Sequence, residues 1–362
     1  MKDEFLDDAK AHTLAKHKIL QEYLKGWLPI LAQGQRNRLL YFDGFAGCGE
    51  LTGEHPGSPV VAIRTAMQTQ STLNVPLVVK LVEKDPDRYR HLLSIVRRER
   101  SELADRIQVE DPICAECEEV VTELLDEHAQ KPLGPAFFFL DQYGYSGFSM
   151  DLVRRILSHR MCETFAYLNW QRMHPYFEDP TKAEAFTRAL GGEEWREVQT
   201  LSGQRRHQRF KEIYIDSLRS RAKAKYVYDF AMRDVNHQVI YWLFFCTNSL
   251  KGLEVMKKAM WDVDPTGRFE FSDQDVGQGM LTSYTSYTPS LLADDLDRVL
   301  RGRELTSDEL KEHVLTRTPE YRFADAVDIL KKRGAVKQHR KAGKNVYHFC
   351  TPPPRTPGLF GE

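Results

Sequence analysis

Seven apolar runs recur along the first two-thirds of the chain, at 38–45, 75–84, 106–111, 136–143, 164–170, 225–232 and 239–247. Most lack the in–out alternation of a strand wetted on one side. A strand that is apolar on both faces belongs in a mostly parallel sheet covered by helices on both sides. The gaps agree with this, since 59–68, 86–100, 116–130 and 150–160 each leave room for a helix. The last two runs break the rhythm. Only a short stretch beginning Arg233-Asp234-Val235-Asn236 separates them, so they are expected to form a hairpin with the final strand antiparallel.

Seven strands with the last turned back is the pattern of the class I methyltransferase sheet, a Rossmann-like α/β fold. An amphipathic helix is expected to lead it over 9–33, carrying Leu14, Ile19, Leu20, Tyr23, Leu24, Trp27, Leu28 and Leu31 at helical spacing and bending near Pro29. The stretch 171–223 is too long for a simple crossover and reads as a helical insert with substrate-specific structure. At 263–290 the composition shifts to Asp, Gly, Ser and Thr, which predicts a linker. Beyond it, a capping signal at Thr306 or Ser307 before Glu309 opens one helix. A second helix carries Phe323, Ala326, Val327 and Leu330 and stops at Gly334, and two short strands flank Ala342-Gly343. Helix, helix, β-ribbon predicts a winged-helix-like domain over 291–362, after a first domain over 1–262.

The chemistry is expected where the first strand ends, in YFDGFAGCGE (41–50). Glycines after a first strand let backbone turn tightly against a ligand. Dinucleotide enzymes, methyltransferases and plain turns all produce such loops, so partner residues must decide. The second strand ends at Glu83, where a carboxylate can accept from a ribose diol. Asp43 at the first strand's tip favours a cationic ligand, which points to S-adenosylmethionine (SAM) rather than a pyrophosphate. Its alternative role is a helix N-cap. Asp43, Gly44, Gly47, Gly49 and Glu83 are thus the candidate cofactor residues. Asp111, after the third strand, joins them as a partner for the adenine amino group, or serves only as a turn residue before Pro112.

The fourth run, PAFFFLDQYGYSGF, sets Asp141 at the end of a fully apolar strand, facing the crevice at the carboxyl edge of the sheet. Asp141 could orient a target amine while Tyr143 or Tyr145 stacks on a base. Gln142 stands where amino-methylating enzymes of this class carry proline.

HKILQEYLKGWLPIL, YFDGFAGCGE, GSPVVAI, FFFLDQYGYSG and LKGLEVMKKAMW together resemble the three-Cys-motif partner family (TcmP) over most of residues 10–262. The resemblance implies a class I methyltransferase-like fold and a functional link to a partner protein bearing three closely spaced cysteines, of the kind able to hold an iron–sulfur cluster. The family's fourth-strand motif is Asp-Pro-Phe/Tyr-Gly. This chain keeps Asp141, Tyr143 and Gly144 and has Gln142.

Net charge is −1, so no global field draws the chain to nucleic acid or membrane. Two local clusters are basic: Arg205, Arg206, Arg209, Lys211, Arg219 and Arg221 in the insert, and Lys331, Lys332, Arg333, Lys337, Arg340, Lys341 and Lys344 on the last helix and ribbon. They could neutralise phosphates of DNA or RNA, or be solvated faces. Six scattered cysteines form no disulfide framework, which fits a reducing, cytoplasmic compartment. Cys114 and Cys117 make a lone CxxC, too few ligands for structural zinc. No apolar run approaches the ~20 residues of a membrane span. Two functions remain open on sequence alone: a SAM-dependent methyltransferase acting on nucleic acid, or a catalytically silent partner using the same fold.

Overall fold

The computed structural model describes residues 7–34, 36–142, 144–273 and 287–351. Among these, 7–264 and 269–273 form one compact unit, and 265–268 with 287–351 form a second.

The first unit opens with α1 (Ala11–Ala32), which continues through Pro29. Then follow β1 (Leu39–Asp43), a two-residue ribbon of β2 (Glu50–Leu51) and β3 (His55–Pro56), α2 (Ser58–Gln68), β4 (Leu77–Leu81), α3 (Pro86–Arg100), β5 (Ile107–Val109), α4 (Cys117–Glu127), β6 (Ala136–Leu140), α5 (Met150–Ser158) and β7 (Cys162–Leu168). The insert folds as α6 (Trp170–Met173), α7 (Ala183–Leu190) and α8 (Gly203–Ser220), linked by 3₁₀ turns. The unit closes with β8 (Tyr226–Arg233), β9 (Val239–Thr247), α9 (Leu250–Trp261) and β10 (Glu270–Ser272).

The sheet runs β10-β8-β9-β7-β6-β1-β4-β5. β1 pairs in parallel with both β4 and β6, while β9 is antiparallel to β7 and β8. In order of appearance this is 3-2-1-4-5-7-6 with an added edge strand, the α/β Rossmann-like methyltransferase arrangement. Along β1 the pleat sends Leu40 and Phe42 to one core with α4, α5 and α8, and Leu39 and Tyr41 to the other with α1, α2, α3 and α9. All five residues of β1 and of β6 are buried, as strands covered on both faces must be. The chain order reverses between β1 and β6, and a crevice opens there at the carboxyl ends.

The extra strand corrects one expectation. Part of the stretch expected as a linker, 263–290, pairs with β8 through β10, because Phe269 is buried there against Tyr228, ring centroids 5.0 Å apart. Residues 274–286 of that stretch lie outside the described residues. The insert is held by an aromatic cluster in which Trp170 meets Phe210 and Phe177 meets Phe186 and Trp195. Trp170 is half-buried at the edge of this cluster and stacks on His174, ring centroids 5.0 Å apart. Among the described residues no helix is long and apolar enough to cross a membrane.

The second unit contains α10 (Pro289–Leu300), β11 (Glu304–Thr306), α11 (Ser307–Arg317), α12 (Ala324–Lys332), β12 (Val336–Lys341) and β13 (Lys344–Phe349), with the strands ordered β11-β13-β12. Thr306 and Glu309 form the reciprocal capping box. Ala342 and Gly343 both take positive φ in the two-residue turn. Leu292, Leu296, Leu310, Val327, Leu330 and Phe349 share its core.

Candidate functional site

At the carboxyl ends of β1, β4 and β6 lies a cavity of about 610 Å³. Its floor is the loop that leaves β1. Gly44 N–H donates to the Phe139 carbonyl (3.0 Å) and Ala46 N–H to the Val82 carbonyl (2.9 Å), stitching the loop to both neighbouring strands. A Cβ at Gly44 would run into Cys117 Sγ and lie 3.3 Å from Leu140 Cδ2. Gly47 takes φ +61°, left-handed backbone that favours glycine, and this turns its N–H onto Glu83 Oε2 at 2.9 Å. Gly44, Gly47, Gly49 and Glu83 all line the cavity.

Glu83 is 8% exposed and uses its other oxygen for Asp85 N–H at 2.8 Å. Each oxygen keeps a lone pair for a further donor. Asp85 in turn caps α3 through the amides of Asp87 and Arg88.

Asp43 is not among the lining residues, which corrects its expected contact with a bound cation. Its carboxylate lies beneath the loop, fully buried, accepting from Ser58 Oγ (2.7 Å), Phe45 N–H (3.2 Å) and Tyr41 OH (3.3 Å). Burial raises its pKa to about 7 against the pull of these donors. Asp111 is also displaced. β5 ends two residues before it, and its exposed side chain pairs with Arg100 away from the cavity.

On the β6 side, Asp141 lines the cavity and its Oδ2 is bound by Lys16 Nζ of α1. Gln142 is 3% exposed, and its side-chain oxygen accepts from Gly147 N–H at 2.8 Å. It holds the 142–147 loop by a hydrogen bond where a proline would have held it by ring rigidity. Tyr143 lies outside the described residues. Tyr145 packs on Phe186, ring centroids 4.7 Å apart, and does not line the cavity.

The sequence pattern did not point to the lining residues on α1. Lys16 and His17 sit on α1 and are both buried. The signal was present: a polar pair interrupts the buried stripe just before Ile19-Leu20. His17 is 7% exposed, and its Nδ1 has no hydrogen-bond partner among the described residues. Tyr167 of β7 and Tyr241 of β9 complete this wall, ring centroids 4.3 Å apart.

The basic clusters are largely neutralised. Arg206 pairs with Glu178 (2.9 Å) and Arg209 with Glu197 (2.8 Å). In the second unit, Lys331 pairs with Asp328 (3.3 Å), Lys341 with Glu304 (3.4 Å), and Arg333 with Asp294. Arg205, Lys332 and Arg340 are exposed and carry no ion pair among the described residues. The runs read as basic patches because their acidic partners come from other segments. Among the described residues no group of three His, Cys, Asp or Glu could hold a metal ion. Cys117 is buried against Gly44 while Cys114 is exposed.

No protein-family model matches the sequence, and no curated protein does. Solved structures are similar at low identity. An O-methyltransferase from Bacillus cereus in complex with S-adenosylhomocysteine (SAH) aligns at 14% identity and TM-score 0.32, over 63% of this chain and 80% of that one. Precorrin-6y C5,15-methyltransferase from Geobacter metallireducens GS-15 aligns at 9% and 0.29, over 68% and 96%. Geranyl diphosphate C-methyltransferase from Streptomyces coelicolor A3(2), in complex with Mg²⁺, geranyl diphosphate and SAH, aligns at 12% and 0.26, over 68% and 90%. The architecture given above rests on strand order and register, not on these likenesses.

Proposed function

We propose that this chain binds SAM in the cavity at the carboxyl ends of β1, β4 and β6 and transfers its methyl group. The observation that carries the reading is the glycine floor with Glu83 hydrogen-bonded to Gly47 on one side and Asp141 on the other. The cavity volume lies within the ~300–1,000 Å³ of small-molecule sites. The residues fit the cofactor. Glu83 retains acceptor capacity for a ribose diol, and the Gly44–Gly49 backbone admits close approach.

When bound, SAM supplies an electrophilic methyl on its sulfonium. The chain's own residues bind and orient. Alignment of two reactants in a closed site can supply ~7–11 kcal/mol of the barrier. Tyr167 and Tyr241 wall the acceptor side, and Asp141, steadied by Lys16, offers an oxygen to an acceptor N–H or O–H. Calorimetry with SAH tests the reading. Micromolar binding is expected, with Glu83→Ala weakening it about tenfold or more, as loss of a charged hydrogen-bond partner would. Absence of any heat, and of a thermal shift at about a hundredfold excess over a micromolar Kd, would overturn it.

The proposed acceptor is nucleic acid, and the second unit the proposed gripping module. Its helix, strand, helix, helix, hairpin order is that of a winged helix, and Lys332, Lys337 and Arg340 are exposed on it. If they contact duplex phosphates, replacing all three by Gln lowers the slope of log K against log salt by about 2.7, at ~0.9 per phosphate. An unchanged slope would refute that role. The three-Cys-motif resemblance adds a cysteine-rich protein as the proposed partner. A second reading, a silent partner subunit, is favoured by the Lys16–Asp141 pair, which occupies the acceptor carboxylate with the chain's own cation. SAH binding without methyl transfer to DNA, RNA or partner would support it.

A further inference from the structure

α1 is anchored from its second residue onward. His12 N–H donates to Asp273 Oδ1 (2.9 Å), its ring Nδ1 lies 2.7 Å from Asp273 Oδ2, and Lys16 binds Asp141. The helix start itself is uncapped, because Lys10 before it offers no side-chain hydrogen bond to the first amides. Residues 7–10 are held by different neighbours. Thr52 N–H donates to the Asp7 carbonyl (3.0 Å), and Ala9 N–H donates to Thr52 Oγ1 (3.0 Å). Arg88 of α3 grips the Asp7 carboxylate through both terminal nitrogens, at 3.0 and 3.1 Å.

This short segment is one wall of the cavity, which Asp7, Asp8 and Lys10 line together with Arg88. Asp7 Oδ2 lies 4.0 Å from where a Cβ on Gly47 would stand. The segment therefore passes beside the left-handed turn that presents Gly47 N–H to Glu83. Its ion pair is wet. The side chains of Arg88 and Asp7 are 29% and 47% exposed, and a pair so placed contributes little. Beyond the helix start, by contrast, α1 buries Ile19, Leu20 and Tyr23 in the core. A lightly pinned segment joined at an uncapped helix start to a firmly packed helix lifts at small cost.

We infer that residues 7–10 are a strap that closes the methyl-donor site, with the Arg88–Asp7 pair as its latch and the Lys10–Ala11 joint as its hinge. This rests on the reading of the cavity as a SAM site. With the latch open, SAM enters and spent SAH leaves past the Gly47 turn. With it shut, the strap keeps water from the sulfonium and holds the donor for transfer.

Two amides report the strap directly, since those of Ala9 and Thr52 lose their partners when it lifts. Their hydrogen exchange is measured in the full chain with and without SAH. Arg88→Gln is expected to speed exchange at both about two- to fivefold, the worth of one exposed ion pair, and to speed SAH dissociation by a similar factor. Asp7→Asn is expected to do the same, and the double variant to add nothing further, because both remove one contact. Exchange in β6 at the wild-type rate certifies the fold of each variant. Saturating SAH is expected to slow both amides in the wild type. Unchanged exchange at Ala9 and Thr52 in both single variants would overturn the latch. Exchange indifferent to SAH, in a chain that binds it by calorimetry, would overturn the strap and leave the SAM site standing. A wild-type chain that binds no SAH would overturn the SAM reading and the donor gating with it.

Discussion

Two buried groups in the first unit titrate across the same pH range with opposite effects on stability. Asp43 is fully buried, and burial moves its pKa from 3.8 to about 7 despite three hydrogen-bond donors. The folded chain keeps a proton that the unfolded chain gives up, so stability falls as pH rises from 3.8 toward 7. At ~1.36 kcal/mol per pH unit the full effect is about 4 kcal/mol. His17 moves the other way, from 6.5 to about 3, through burial and Lys16. The unfolded chain takes up a proton that the folded chain refuses, so stability falls as pH drops from 6.5 toward 3. Between about pH 4 and pH 6.5 the two slopes nearly cancel, each worth ~3 kcal/mol across that window. Asp43→Asn removes one of them. Relative to wild type, its stability should rise by ~3 kcal/mol from pH 4 to pH 6.5, and that of His17→Leu should fall by a similar ~3 kcal/mol. Urea unfolding followed by tryptophan fluorescence measures this cleanly. All five tryptophans, at 27, 170, 195, 242 and 261, belong to the first unit, so its transition is read without the second. An Asp43→Asn profile parallel to wild type across the window would refute the assignment of the buried titration to Asp43.

Gly44→Ala should destabilise by about 1–3 kcal/mol, because the new methyl meets Cys117 Sγ in an already filled corner. Cys117→Ala should recover at least half of that loss in a double-mutant cycle, and additive effects would show that the clash lies elsewhere. Glu163 is buried in β7 and accepts from Trp27 Nε1 (2.9 Å), Thr247 Oγ1 (2.6 Å) and Tyr23 OH, which ties α1 to the sheet. Glu163→Ala strands three buried donors and should cost about 3–5 kcal/mol by urea unfolding, with a loss under ~1 kcal/mol counting against the network.

Much of the architecture was legible in the sequence. Runs such as Ala136–Leu140, apolar on both faces, can be stable only inside a covered parallel sheet, and the short gap after β8 forces a hairpin. The edge strand β10 was hidden because three residues in a Gly- and Ser-rich stretch carry no period to read. The candidate site divided along a similar line. The glycine loop and Glu83 follow from local rules, since left-handed backbone and a strand-tip carboxylate are properties of short segments. Asp111 could not be excluded that way, for its partner Arg100 lies at the end of another helix. The paired basic residues failed for the same reason.

What the sequence determined by itself was therefore most of the backbone: the seven main strands, the faces they present, and where the chain must turn without side chains. Only the tertiary structure decided that Asp43 is sealed beneath the loop, and that Lys16 and His17 reach the cavity from a helix 125 residues away from Asp141 in the case of Lys16. Periodicity reports a residue's relation to its neighbours along the chain. The chemistry of a buried polar group depends on the atoms that packing brings to it from far along that chain, and no local pattern encodes them.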